Sequence, residues 1–180
     1  MNLQKRFLVL GLGHPLLADD TLGLRLADEA ARRFSPLFPD VDFRTHPGGS
    51  FDLLPLLGEY ARVLVLDSIC TGQSPAGTCH EFRGTSAAGT AAGWVSPHGL
   101  NWPQLFALAR AWGFTFPDEL RFFAVEARNF DCFAEEPSAE IRRSFPLILE
   151  KIRRQLETWC TEPRGSRPYP EAEAHEIQFE

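Results

Sequence analysis

The chain has 180 residues, 44% hydrophobic and 23% charged, which fits a single globular domain large enough to bury its own core. A net charge of −6 leaves no basic footprint for a nucleic-acid partner, and the clustered Arg142, Arg143, Arg153 and Arg154 sit among acids on one helical stretch, as on a solvated face. The apolar run beginning at Phe7 meets glycine too soon to span a bilayer, so no membrane partner and a cytoplasmic setting are expected. Cys70, Cys79, Cys132 and Cys160 are widely spaced, form no CxxC pair and read as reduced thiols.

Phe7 to Gly11 is a short apolar run closed by glycine, the pattern of a buried parallel strand. A tight segment from Gly13 to Asp20 leads into a helix with Leu22, Leu26 and Ala30 on one face, and Asp19 or Asp20 is placed to cap it. Val41 to Thr45 alternates as a second strand, the break His46-Pro47-Gly48-Gly49-Ser50 follows, and a short helix covers Leu53 to Leu57. Arg62 to Asp67 is the clearest strand, with an aspartate where it should end. Gly77 to Arg83 reads as another, and Gly84 to Gly93 as a small-residue loop running into Trp94-Val95-Ser96-Pro97-His98.

A helix is expected from Asn101 to Trp112 with Leu105, Leu108, Ala109 and Trp112 facing the core, then a strand from Glu119 to Val125. Ser138 opens and caps a long helix with Ile141, Phe145, Ile148, Leu149, Ile152, Leu156 and Trp159 on one side; Pro146 either kinks it or marks its start. Residues 1–160 therefore read as one domain, and the polar, acidic segment 161–180 as a disordered tail. Strands alternating with helices predict an α/β fold, a three-layer α/β/α sandwich around a twisted, mostly parallel sheet, with ligands outside the carboxyl ends of the strands.

That rule draws attention to Asp20, just past the first strand, to Asp67 at a strand end, and to His98 in its Ser-Pro-His loop. Two carboxylates and an imidazole suit nickel, zinc or a similar divalent ion and leave positions open for substrate or water. Taken singly, each has a plain alternative: a helix cap, a turn aspartate, a packed histidine. Gly11-Leu12-Gly13 after a strand also invites a nucleotide-binding reading, but Leu16 stands where the third glycine belongs, and Asp19 and Asp20 would repel a pyrophosphate. Gly48 and Gly49 offer either a tight turn or backbone N–H groups for an oxyanion.

The segment from Gly11 to Gly23 resembles the N-terminal signature of the hydrogenase maturation proteases, Gly-x-Gly-Asn-x-Leu-x-x-Asp-(Asp/Glu)-x-x-Gly. Leu64-Val65-Leu66-Asp67, Val95-Ser96-Pro97-His98-Gly99-Leu100 and the glycine-rich turn from Pro47 to Leu54 follow in the family's order, so the resemblance runs from about Phe7 to Trp159. It implies a phosphorylase/hydrolase-like fold and an aspartic-type endopeptidase that removes a C-terminal peptide from the nickel–iron hydrogenase large-subunit precursor after nickel insertion. It further implies that Asp20, Asp67 and His98 read nickel carried by that precursor, with no tightly bound resting metal required; metal-assisted hydrolysis would then make Asp20 or Asp67 the catalytic base. A non-enzymatic nickel-precursor binding module and a nucleotide-binding domain are the alternatives. His14 departs from the family's asparagine and Thr21 from a common glycine, and Val125 to Asn129 lacks an expected Pro-Glu type of segment. His14 thus either loses a loop hydrogen bond or lends a fourth nitrogen.

Overall fold

In the computed structural model, residues 5–48, 51–84, 102–134 and 136–162 are described. The strands are β1 (Lys5–Gly13), β2 (Val41–Pro47), β3 (Tyr60–Ile69), β4 (Cys79–Arg83) and β5 (Glu119–Glu126). The helices are α1 (Leu22–Phe34), α2 (Leu53–Gly58), α3 (Trp102–Trp112) and α4 (Ala139–Thr161), and a 3-10 turn, Ala18–Thr21, precedes α1. The described strands form one sheet in the order β2-β1-β3-β5-β4, parallel except for the antiparallel edge strand β4.

Period-two alternation sends successive side chains to opposite faces, and helices cover both. On one face Phe7, Val9, Leu64, Leu66, Phe123 and Val125 pack against Leu22, Leu26 and Ala30 of α1 and Ile148, Ile152, Leu156 and Trp159 of α4. On the other, Leu8, Leu10, Val63, Val65 and Phe122 meet Leu53, Leu54 and Leu57 of α2 and Trp102, Leu105 and Ala109 of α3. The chain leaves β1 towards β2 on one side and returns to β3 on the other, so the sheet has its topological switch point between β1 and β3.

Four expectations change, three of them in the later helices. Trp112 is exposed rather than packed in the core. Helix α3 ends there in a Schellman cap, with Gly113 at φ +69°, Phe114 N–H donating to Ala109 O and Gly113 N–H to Arg110 O, so its last side chain overhangs the core. Helix α4 runs unbroken through Pro146, which lies on its exposed side, where water can serve the Arg142 carbonyl that loses its partner. Ser138 precedes α4 as expected, but its hydroxyl makes no capping bond; instead its backbone N–H donates to Asp19 Oδ1 at 2.7 Å.

Asp19 is a strut. Its carboxylate also accepts from the N–H groups of Arg128 (3.3 Å) and Asn129 (3.1 Å), and its own N–H donates to Asn129 O. Neither Asp19 nor Asp20 caps α1, whose N-cap position is Thr21 with no side-chain bond. Three glycines bring this turn onto the sheet. A Cβ on Gly23 would lie 2.1 Å from Leu12 O and 2.4 Å from Leu66 O, and one on Gly11 would lie 2.2 Å from Gly23 O. On Gly13 it would meet Asp20 O at 2.1 Å.

Two stability outcomes follow, readable as urea midpoints. Because backbone oxygens cannot step aside as a side chain would, Gly23→Ala costs about 3 kcal/mol; an unchanged midpoint would contradict the close approach. Asp19→Asn costs about 2 kcal/mol through lost charge-assisted bonds, whereas Ser138→Ala stays within about 0.5 kcal/mol. The reverse order would restore Ser138 as the cap.

Candidate functional site

The carboxyl edge of the sheet at the β1/β3 switch point gathers four buried carboxylates, Asp19, Asp20, Asp67 and Glu126. Burying charge is costly unless donors compensate it, so the donors around each acid indicate what it is for. Asp19 is held by the three backbone N–H groups described above. Glu126, fully buried at the end of β5, accepts from Thr71 N–H (2.9 Å), Thr71 Oγ1 (2.7 Å) and Gly72 N–H (2.8 Å). Both acids thus fasten loops: Asp19 the connection between β5 and α4, Glu126 the loop after β3.

Asp20 and Asp67 are arranged differently. Pairing of β1 with β3 ends at Gly11 and Leu66, while β5 stays paired with β3 as far as Ile69. β3 therefore runs two residues past the expected end at Asp67. Beyond Leu66 its β1-side edge has left the ladder, and the Ser68 N–H donates to Asp67 Oδ1 at 2.8 Å. Alternation places Ser68 with Leu64 and Leu66 on the face that α1 covers, and there its hydroxyl donates to Asp20 Oδ1 at 2.8 Å. Asp20 itself is fixed by its turn, with Asp20 N–H donating to Leu17 O and His14 N–H to Asp20 O. Two of the three expected site residues are thus joined through Ser68, which nothing in the sequence had marked.

The third, His98, lies outside the described residues, as do Gly49 and Ser50. Among the described residues no three His, Cys, Asp or Glu side chains gather into a metal-holding group. Asp20 and Asp67 are hard oxygen donors at one crevice, a donor set that fits a divalent ion once a nitrogen ligand joins it.

Other expectations resolve. His14 Nδ1 accepts from the Leu16 N–H at 3.3 Å, so the imidazole makes a bond within the loop and the ring nitrogen is turned onto its own turn. The Gly48 N–H donates to Gly13 O at 2.9 Å, tying the ends of β2 and β1 together, so it is engaged in the fold rather than offered to an oxyanion. Burial pushes the Cys79 thiol up to about 12, against thiolate chemistry there. The space a phosphate cradle would need is filled at Gly11 by the α1 backbone and at Gly13 by the Asp20 carbonyl of the preceding turn, which removes the basis for nucleotide binding.

The chain matches no protein-family model. Over 180 residues it is 27% identical to the hydrogenase expression/formation protein HupD of Rhizobium leguminosarum bv. viciae, covering 97% of this chain and 87% of that protein. It is 26% identical over 121 residues to the hydrogenase 2 maturation protease of Escherichia coli (strain K12), covering 67% of this chain and 72% of the relative. The fold is similar to that of the hydrogenase maturating endopeptidase HybD from E. coli, with a TM-score of 0.73, 23% identity, and coverage of 85% of this chain and 93% of the other. The [NiFe] hydrogenase maturation protease HybD from Thermococcus kodakarensis gives 0.63 at 22% identity, covering 84% and 99%. Along nearly its whole length, in its fold and in the segment from Gly11 to Gly23, this chain is similar to hydrogenase maturation proteases.

Proposed function

We propose that this peptidase removes the C-terminal peptide of a nickel–iron hydrogenase large-subunit precursor after nickel insertion, reading the precursor's nickel with Asp20, Asp67 and His98. The observation that carries the proposal is the joining of Asp20 and Asp67, buried and linked through Ser68, at the carboxyl edge of the sheet beside the switch point. The metal is cargo of the substrate, so the enzyme needs no tightly bound ion at rest.

Nickel near the scissile bond polarises the carbonyl and acidifies water. Asp20 or Asp67 accepts the proton of the attacking water; the new C–O bond forms as the C–N bond breaks, and the proton passes to the leaving amine. This makes the chemistry aspartic-type in its base and dependent on the substrate's metal. The same acids discriminate, because carboxylates attract a cation carried by the precursor and repel an anionic peptide end.

Among the described residues no helix is long and apolar enough to cross a membrane, and no disulfide joins the four cysteines. The relatives' names speak for cleavage over the alternative of a binding module; a nickel-loaded precursor that binds and stays uncut would favour the module.

Asp20→Asn and Asp67→Asn keep shape and remove charge. Each is expected to slow processing of nickel-loaded precursor at least about 100-fold, read as the large-subunit shift on a denaturing gel. Normal-rate cleavage by either variant would remove that residue from the site.

A further inference from the structure

We infer that Ser68 is a positioning residue that ties the two nickel-reading carboxylates into one unit; this rests on the roles proposed above for Asp20 and Asp67. Ser68 is fully buried, and it addresses the two acids with two different groups. Its backbone N–H holds Asp67 Oδ1 and its hydroxyl holds Asp20 Oδ1, both at 2.8 Å. The Asp20 and Ser68 partners stand 48 residues apart in the chain, so the bond joins the turn after β1 to the end of β3 across the switch point.

The backbone half of this arrangement would be available from any residue at position 68 except proline, because it arises where β1 leaves the ladder beyond Leu66. The hydroxyl half is specific to the side chain. A hydroxyl proton directed at Oδ1 fixes the plane of the Asp20 carboxylate relative to that of Asp67. Ions such as nickel accept oxygen ligands in a narrow range of directions, so groups behind the ligands set how well the ligands serve. The Ser68 hydroxyl is spent on Asp20 Oδ1, so its effect passes through Asp20.

The side chain is small enough that its removal leaves little void, and the Asp20 turn has its own backbone bonds to keep it folded. Stability falls with the lost donor, but the turn stays folded, so the preference for nickel is the diagnostic readout. The test compares the Kd of the full-length enzyme for nickel-loaded and for nickel-free precursor, in wild type, Ser68→Ala, Asp20→Asn and the double variant.

The Ser68→Ala change is expected to lower the preference for nickel-loaded precursor about tenfold, with affinity for nickel-free precursor unchanged and Tm lowered, because a buried carboxylate loses a charge-assisted donor. In the Asp20→Asn background it should add nothing, because the hydroxyl then has no carboxylate to orient. Ser68→Cys, similar in size but a weak donor, should fall between Ser68→Ala and wild type, and it carries the test should Ser68→Ala fail to fold. A wild-type preference in Ser68→Ala, or the same loss with and without Asp20→Asn, would overturn the inference while leaving the nickel-reading roles intact. If Asp20→Asn itself keeps the full preference, the roles of the acids fail first and the inference falls with them.

Discussion

The close approach of one turn to two strand ends is the constraint on which the rest depends. The Ala18–Thr21 turn and the first residues of α1 lie against the backbones of β1 and β3, at distances that leave no room for a Cβ on Gly11 or Gly23. Glycines in such a signature are often associated with phosphate, where they let a ligand approach the backbone. Here they let the chain approach itself. The result is an acidic turn seated directly over the switch point of the sheet, with Asp20 against the end of β3. A side chain at Gly23 would push that turn away and separate the acids without touching either of them.

Electrostatics divides labour among the buried acids. Asp19 and Glu126 each face three donors and secure the loops that border the crevice. Asp20 and Asp67 share one small residue, and through it the turn and the strand end behave as a single element. Concentrating negative charge at a sheet edge is costly in an empty crevice and favourable when a cation arrives. Under the proposed function, that difference would serve as the test that the precursor's metal is in place.

Much of this was legible in the sequence because it lay in local patterns. The apolar runs of β1 and β3 and the stripe of α4 from Ile141 to Trp159 follow from burial alone. The position of Asp20 was legible inside a long signature block, and that of Asp67 through the apolar run of β3 that leads to it. What stayed hidden depends on contacts between distant segments. Ser68 is an ordinary residue after an aspartate until β3 is seen to continue past β1 and to meet a turn 48 residues earlier. Glu126 has the same character, its partners lying in the loop after β3. Ser138 looked like a cap because serines before helices commonly are, yet the bond at that position comes from the carboxylate of Asp19. Trp112 fitted the helical period but sits in the last turn, where the period outlasts the core.

The central claim is that the acids read a metal held by the substrate. Wild-type enzyme incubated with matched nickel-loaded and nickel-free large-subunit precursor, followed by intact-mass spectrometry, tests it most directly. The account predicts that only the nickel-loaded precursor loses the mass of a C-terminal peptide. Equal cleavage of both forms, or a nickel-loaded precursor that stays intact, would contradict it.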